Sequence, residues 1–96
     1  MPRAEILKIL KAFKEECGGQ YGILALGVFG SVARDEAKES SDIDVVLKTE
    51  TPDPYNIVHI KEDLEHRLRT HVDIVRLREK MNSFLERRIR KEAVYV

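Results

Sequence analysis

The sequence predicts an α/β fold, and three observations carry that expectation. Apolar residues recur at helical spacing in several stretches, short apolar runs lie between them, and one of those runs is apolar on both faces. A strand of that last kind is usually covered by helices on both sides. In chain order, residues 3–17 set Ile6, Leu10, Phe13 and Cys17 on one helical stripe, and Gly18-Gly19 supplies a stop. Ile23 to Phe29 is an apolar run ending at Gly30, which reads as a buried strand. From Ser31, a residue suited to N-capping, a short helix runs to about Lys38. Asp42 to Leu47 is a second strand, with Val45, Val46 and Leu47 as its two-faced apolar part. Pro52-Asp53-Pro54 makes a rigid turn into a helix over 56–70, which carries Ile57, Ile60, Leu64 and Leu68 on one face. Val72 to Arg76 is a third strand. A last helix from Asn82 to Glu92 turns Phe84, Leu85 and Ile89 inward, and Val94-Tyr95-Val96 adds a short edge strand. The resulting order, α-β-α-β-α-β-α, stacks into two or three layers.

Size and composition narrow the functions available. The 96 residues suit one domain over 1–96, whose 43% apolar content makes one core and leaves no second lobe for a substrate. Seventeen Lys+Arg balance seventeen Asp+Glu, which argues against a generally basic nucleic-acid binder. Cys17 is the single cysteine, so an intrachain disulfide and a thiolate zinc cluster are both excluded. No apolar run approaches the roughly 20 residues of a membrane span, and Met1-Pro2-Arg3 opens no signal-peptide pattern; a cytoplasmic protein is expected.

Chemistry concentrates between Gly30 and Asp44, in the segment GSVARDEAKESSDID. Asp42 and Asp44 are i and i+2 on a strand, so both carboxylates project from one face. Two adjacent like charges on an otherwise apolar strand make sense around a hard cation such as Mg²⁺, which takes carboxylate and phosphate oxygens. The same spacing also fits a pair of solvated acids at a strand start. Gly30-Ser31 falls after a strand and before a helix, where a glycine lets backbone approach a ligand and a helix N-terminus favours an anion. An ordinary strand–turn–helix corner with a serine cap reads the same way, and the Gly-Lys-Ser/Thr ending of a P-loop is missing. Asp73 stands among Val72, Ile74 and Val75, where an acid is costly to bury unless paired or metal-bound. Beside the 42–47 strand it would complete a three-carboxylate cluster; a salt bridge to an arginine is the other reading.

Together these features resemble the nucleotidyltransferases of the DNA-polymerase-β type, whose signature is Gly-Ser, a spacer and Asp-x-Asp. The ten-residue spacer, Ala33-Arg34 after the Gly-Ser, Ser41 before Asp42 and the short length are similar to the minimal nucleotidyltransferase (MNT) subgroup. The chain departs from that pattern at Asp35, where family members often carry glycine. The resemblance implies a nucleotidyltransferase fold with a small mixed β-sheet flanked by helices. It implies ATP with its β- and γ-phosphates against Gly30 and Ser31, with Arg34 also in the nucleotide site. Asp42, Asp44 and Asp73 would be the catalytic and metal-binding acids around two Mg²⁺ ions about 3.5–4 Å apart. Proteins of this subgroup typically act as antitoxins of HEPN-domain ribonuclease toxins and transfer AMP to a toxin tyrosine. A non-catalytic antitoxin that neutralises its partner by covering it is the alternative.

Other candidates are weaker. Residues 76–92 hold seven Lys/Arg against three Glu, an excess of four, but Glu79, Glu86 and Glu92 interrupt any nucleic-acid face. That charge would also suit an acidic partner surface or a triphosphate tail. His59 and His66 are too few for zinc, and Tyr21, Tyr55 and Tyr95 are too scattered to stack bases.

Overall fold

The computed structural model describes residues 1–38 and 41–96; Glu39 and Ser40, two members of the spacer, lie outside the described residues. Helix α1 (Arg3–Tyr21) leads into strand β1 (Ile23–Phe29), followed by β2 (Ile43–Thr49), α2 (Pro54–Leu68), β3 (Val72–Arg76), α3 (Ser83–Glu92) and the two-residue β4 (Val94–Tyr95). The strands form one sheet in the order β3-β2-β1-β4. β1 runs antiparallel to β2 and β4, while β2 and β3 are parallel, so the sheet is mixed as expected.

Both faces are covered. Ile6, Leu10 and Phe13 of α1 and Ile60, Leu64 and Leu68 of α2 pack with Leu26, Val28, Val45 and Leu47 into the larger core. On the opposite face Val46 and Phe29 meet Ile89 of α3, with Val75, Met81 and Leu85 packed around them. Alternation along β2 therefore sends Val45 to one core and Val46 to the other, as a two-faced strand requires.

Three local expectations are corrected. Gly18-Gly19 do not stop α1, which continues to Tyr21 and ends at Gly22 with φ +63°. The left-handed cap needs a residue without a Cβ penalty, and Gly22 N–H bonds back to the Gly18 and Gly19 carbonyls. Tyr21 meanwhile stacks on Phe13, with ring centroids 6.3 Å apart. The short helix after Ser31 is a single turn rather than a helix to Lys38. Asp35 turns left-handed (φ 60°), Glu36 N–H bonds to Ser31 O at 2.8 Å, and Asp35 N–H bonds to Val32 O at 3.0 Å. That paired closure ends a helix wherever it forms, here after one turn. Asp35 occupies the position where glycine is common in the resembling family, and its φ explains that preference. Finally, Phe84 is not inward but 73% exposed, and Leu85 and Ile89 alone of the expected trio face the sheet.

The remaining caps follow from sequence. Asp53 Oδ1 accepts from the Tyr55 and Asn56 N–H groups at the start of α2, and Asn82 Oδ1 does so for Phe84 and Leu85 at the start of α3. Glu65 of α2 accepts the Val72 N–H at 3.0 Å, which ties the helix to the first residue of β3. That bond also pulls the Glu65 carboxyl below its ordinary pKa. Among the described residues no helix is long and apolar enough to cross a membrane.

Candidate active site

The candidate residues gather at one corner of the sheet, on the α3 face. β2 enters the sheet at Ile43, so Asp42 lies just ahead of the strand and is exposed, while Asp44 is half-buried. Asp44 shares its face with Val46, which packs against α3. The parallel register places Asp44 directly beside Asp73, and Ile43 beside Val72. Across the other edge of β2, Asp44 is registered against Phe29, the residue before Gly30.

Gly30 is where the corner closes. Its φ is +72°, and a Cβ built there would lie 2.5 Å from Asp44 Oδ2. A side chain at position 30 would therefore meet both a strained backbone and the carboxylate. The glycine serves close approach, as its motif position suggests, and the group approaching it is a side chain of the site itself.

Asp44 is held above the ordinary carboxylate pKa. Burial is the largest cause; the Asp73 carboxylate adds to it, Arg88 opposes it, Asp42 adds again, and Arg34 opposes. Three acids thus share one field, with two arginines as their counter-charge. Among the described residues no three acidic, histidine or cysteine side chains converge into a metal-holding group, so the expected three-carboxylate cage is not closed. What the structure brings together is Asp44 with Asp73, and Asp42 within their field. Their oxygens nonetheless suit a hard divalent cation, and a half-buried carboxylate disfavoured by two like charges is the environment such a cation would relieve.

Two expectations about this corner are revised. Asp73 is exposed, so the burial cost argued from its β-branched neighbours does not apply. A single turn after Ser31 carries little dipole, so any anion there would depend on local donors and arginines instead of a helix end. The Gly30 N–H is not free: it donates to Glu92 Oε2 at 3.2 Å. Arg34, expected in the nucleotide site, pairs with Glu36 at 3.1 Å and with Glu92 at 3.0 Å. Arg88 lies 3.9 Å from the same Glu92 carboxylate.

Arg88 and Glu92 are the site residues that sequence reasoning missed. The basic excess of residues 76–92 was visible, and Glu92 reads there as an interruption of it. Their four-residue spacing places both on one side of α3, but only the packing of α3 on β1 and β2 turns that side to the corner.

A small mixed sheet that presents Gly-Ser at the end of one strand and Asp-x-Asp at the start of its neighbour has the architecture of a nucleotidyltransferase. The chain belongs to the family described as "Polymerase beta, Nucleotidyltransferase", which it matches over residues 8–96. It is 38% identical over 93 residues to the protein adenylyltransferase MntA of Thermococcus cleftensis, covering 96% of this chain and 93% of that one. A solved structure described as a minimal nucleotidyltransferase superposes with a TM-score of 0.82 at 32% identity, over 98% of this chain and 95% of that chain. Two more distant structures share the fold at 20% identity. One is a toxin–antitoxin with AMP-PNP (TM-score 0.72; 99% and 72% covered). The other is a tri-AMPylated HEPN toxin of Shewanella oneidensis in complex with MNT antitoxin (TM-score 0.61; 97% and 66% covered).

Proposed function

We propose that this nucleotidyltransferase is a cytoplasmic antitoxin that transfers AMP from ATP to a tyrosine hydroxyl of a HEPN ribonuclease toxin. The observation that carries the reading is the junction of Gly30 with Asp44, which joins the phosphate-facing turn to the acidic edge within one van der Waals contact. The likeness to a named protein adenylyltransferase at 38% identity supports the acceptor class.

Asp42, Asp44 and Asp73 would hold two Mg²⁺ ions, which when bound offset phosphate charge and make the acceptor hydroxyl more acidic. The chain's own residues do the rest. Ser31, with its hydroxyl and the backbone of the turn, and Arg34 orient the β- and γ-phosphates. The acceptor oxygen forms its bond to the α-phosphorus while the bond from that phosphorus to the β-bridging oxygen breaks, and pyrophosphate leaves. Asp73, exposed at the open edge of the pair, accepts the hydroxyl proton. The cleft between β3 and α3, about 370 Å³ and lined by Ile74, Val75, Met81, Leu85, Arg76 and Arg78, starts next to Asp73 along β3. Its mixture of apolar and cationic groups suits an aromatic acceptor presented by a partner. Catalysis of this kind is mostly positioning and charge neutralisation.

Mixing the chain with the HEPN partner, ATP and Mg²⁺ tests the reading. The expected product is a toxin carrying AMP on tyrosine, read by mass, and none should form with Asp42→Asn/Asp44→Asn. Full protection of cells by the doubly substituted chain would instead assign neutralisation to binding alone.

A further inference from the structure

We propose that Glu92, at the far end of the chain, is a positioning residue of the nucleotide corner: it fixes the Gly30 turn and aims Arg34 without touching substrate. The inference rests on the nucleotide reading above and adds a residue outside the Gly-Ser and Asp-x-Asp elements. One carboxylate of α3, only 18% exposed, meets two groups of the turn that follows β1. Its Oε2 accepts the Gly30 N–H at 3.2 Å, and its Oε1 takes Arg34 Nη1 at 3.0 Å. Arg88, one turn back on α3, stands 3.9 Å from Oε2.

The geometry argues for orientation over simple ion pairing. Exposed ion pairs contribute little, but a partly buried backbone N–H needs an acceptor, and Glu92 supplies it. Gly30 sits at φ +72° with Asp44 against its Cα, so a shift of the turn is transmitted directly to a proposed catalytic carboxylate. Among the described residues, the other anchor of Arg34 is Glu36, whose side chain is 64% exposed. Removing Glu92 therefore leaves Arg34 to its exposed partner Glu36 and takes the acceptor from the Gly30 N–H.

The test is direct binding of the non-hydrolysable analogue AMP-PNP with Mg²⁺ to the full chain, by calorimetry, with melting midpoints measured in parallel. Glu92→Ala should weaken binding about tenfold or more, the loss expected for a hydrogen bond to a charged group. Glu92→Gln keeps an acceptor for Gly30 N–H but loses the charge that holds Arg34, and should fall in between. Because Glu92 acts through Arg34, adding Glu92→Ala to Arg34→Ala should cost less than the single change does in the wild type. Unchanged or tighter binding by a folded Glu92→Ala, or full additivity with Arg34→Ala, overturns the proposal. If Glu92→Ala does not fold, Glu92→Gln decides: weaker binding at an unchanged midpoint supports the role, and equal binding overturns it. A wild-type chain that does not bind AMP-PNP overturns the nucleotide reading itself, and this inference with it.

Discussion

The Asp44 carboxylate rests on the α-carbon of Gly30, so near that a Cβ there would stand 2.5 Å from Oδ2. The two residues are fourteen positions apart in sequence and belong to motif elements usually read separately, one for phosphate and one for metal. In the fold they are one unit, because β1 and β2 are antiparallel neighbours and Phe29 is registered against Asp44.

Gly30→Ala should therefore damage both stability and activity. The left-handed backbone alone costs a residue with a Cβ about 1–2 kcal/mol, which in a chain of this size lowers the melting midpoint by at least about 4 °C. Displacing Asp44 should reduce AMP transfer by about a hundredfold, since a misplacement near 1 Å can cost that much. Thermal melts and turnover on one preparation check both.

Asp44→Asn should separate the two properties. With the cation chelated, Asp44 keeps its proton to a higher pH in the native chain than in the unfolded chain, because of burial first and Asp73 next. The native state then binds more protons across the interval between the two pKa values, so stability falls as pH rises through it. The asparagine variant lacks that fall and should melt higher at neutral pH, while transfer drops by about a thousandfold. Melts from pH 4 to 8 in chelator give the sign.

Mg²⁺ should raise the melting midpoint of the wild type. A ligand that binds only the native state adds about 2.7 kcal/mol at a hundred times its dissociation constant. Asp42→Asn/Asp44→Asn should lose most of that shift. A melt titrated with MgCl₂ measures it, and an equal shift in the variant would remove these acids from the metal site.

Arg88→Ala should lower kcat/KM by about tenfold at low salt, because Arg88 opposes the acidic field at Asp44. Arg88 is 55% exposed, so the difference from wild type should shrink as salt screens it. Arg90, 79% exposed and paired with Glu86 at 2.7 Å, should tolerate alanine with less than about a twofold change.

Asp35→Gly should stabilise the chain slightly, by about 0.5 kcal/mol. Relief of the φ 60° backbone exceeds the extra freedom glycine gains in the unfolded state. The melting midpoint should rise by a few degrees with transfer unchanged.

Much of the fold was legible because its signals are local. The run Ile23–Phe29 and the run Val72–Arg76 match their strands residue for residue, since apolar runs of five to seven residues are too short for a helix and suit a buried strand. Local signals failed where two of them competed. Gly18-Gly19 looked like a stop, yet Gly22 offered the better left-handed cap while Tyr21 gained a ring partner. Ser31 looked like the start of a helix, but Asp35 turned left-handed and closed it after one turn. Phe84 lies on the apolar stripe of α3 and is still 73% exposed, while Leu85 and Ile89 take up the packing against the sheet.

By itself the sequence determined the α/β class, the order of strands along the chain, and the Gly30-Ser31 and Asp42-Ile43-Asp44 elements that place the protein among the nucleotidyltransferases. Tertiary structure alone decided which residues share the site. Asp73 reaches Asp44 through the parallel pairing of β2 with β3, and Arg34, Arg88 and Glu92 meet through the packing of α3 across the sheet. The physical reason is range: spacing along a chain specifies which face a side chain takes within its own element, whereas contact between elements depends on the register and packing that only the folded sheet sets.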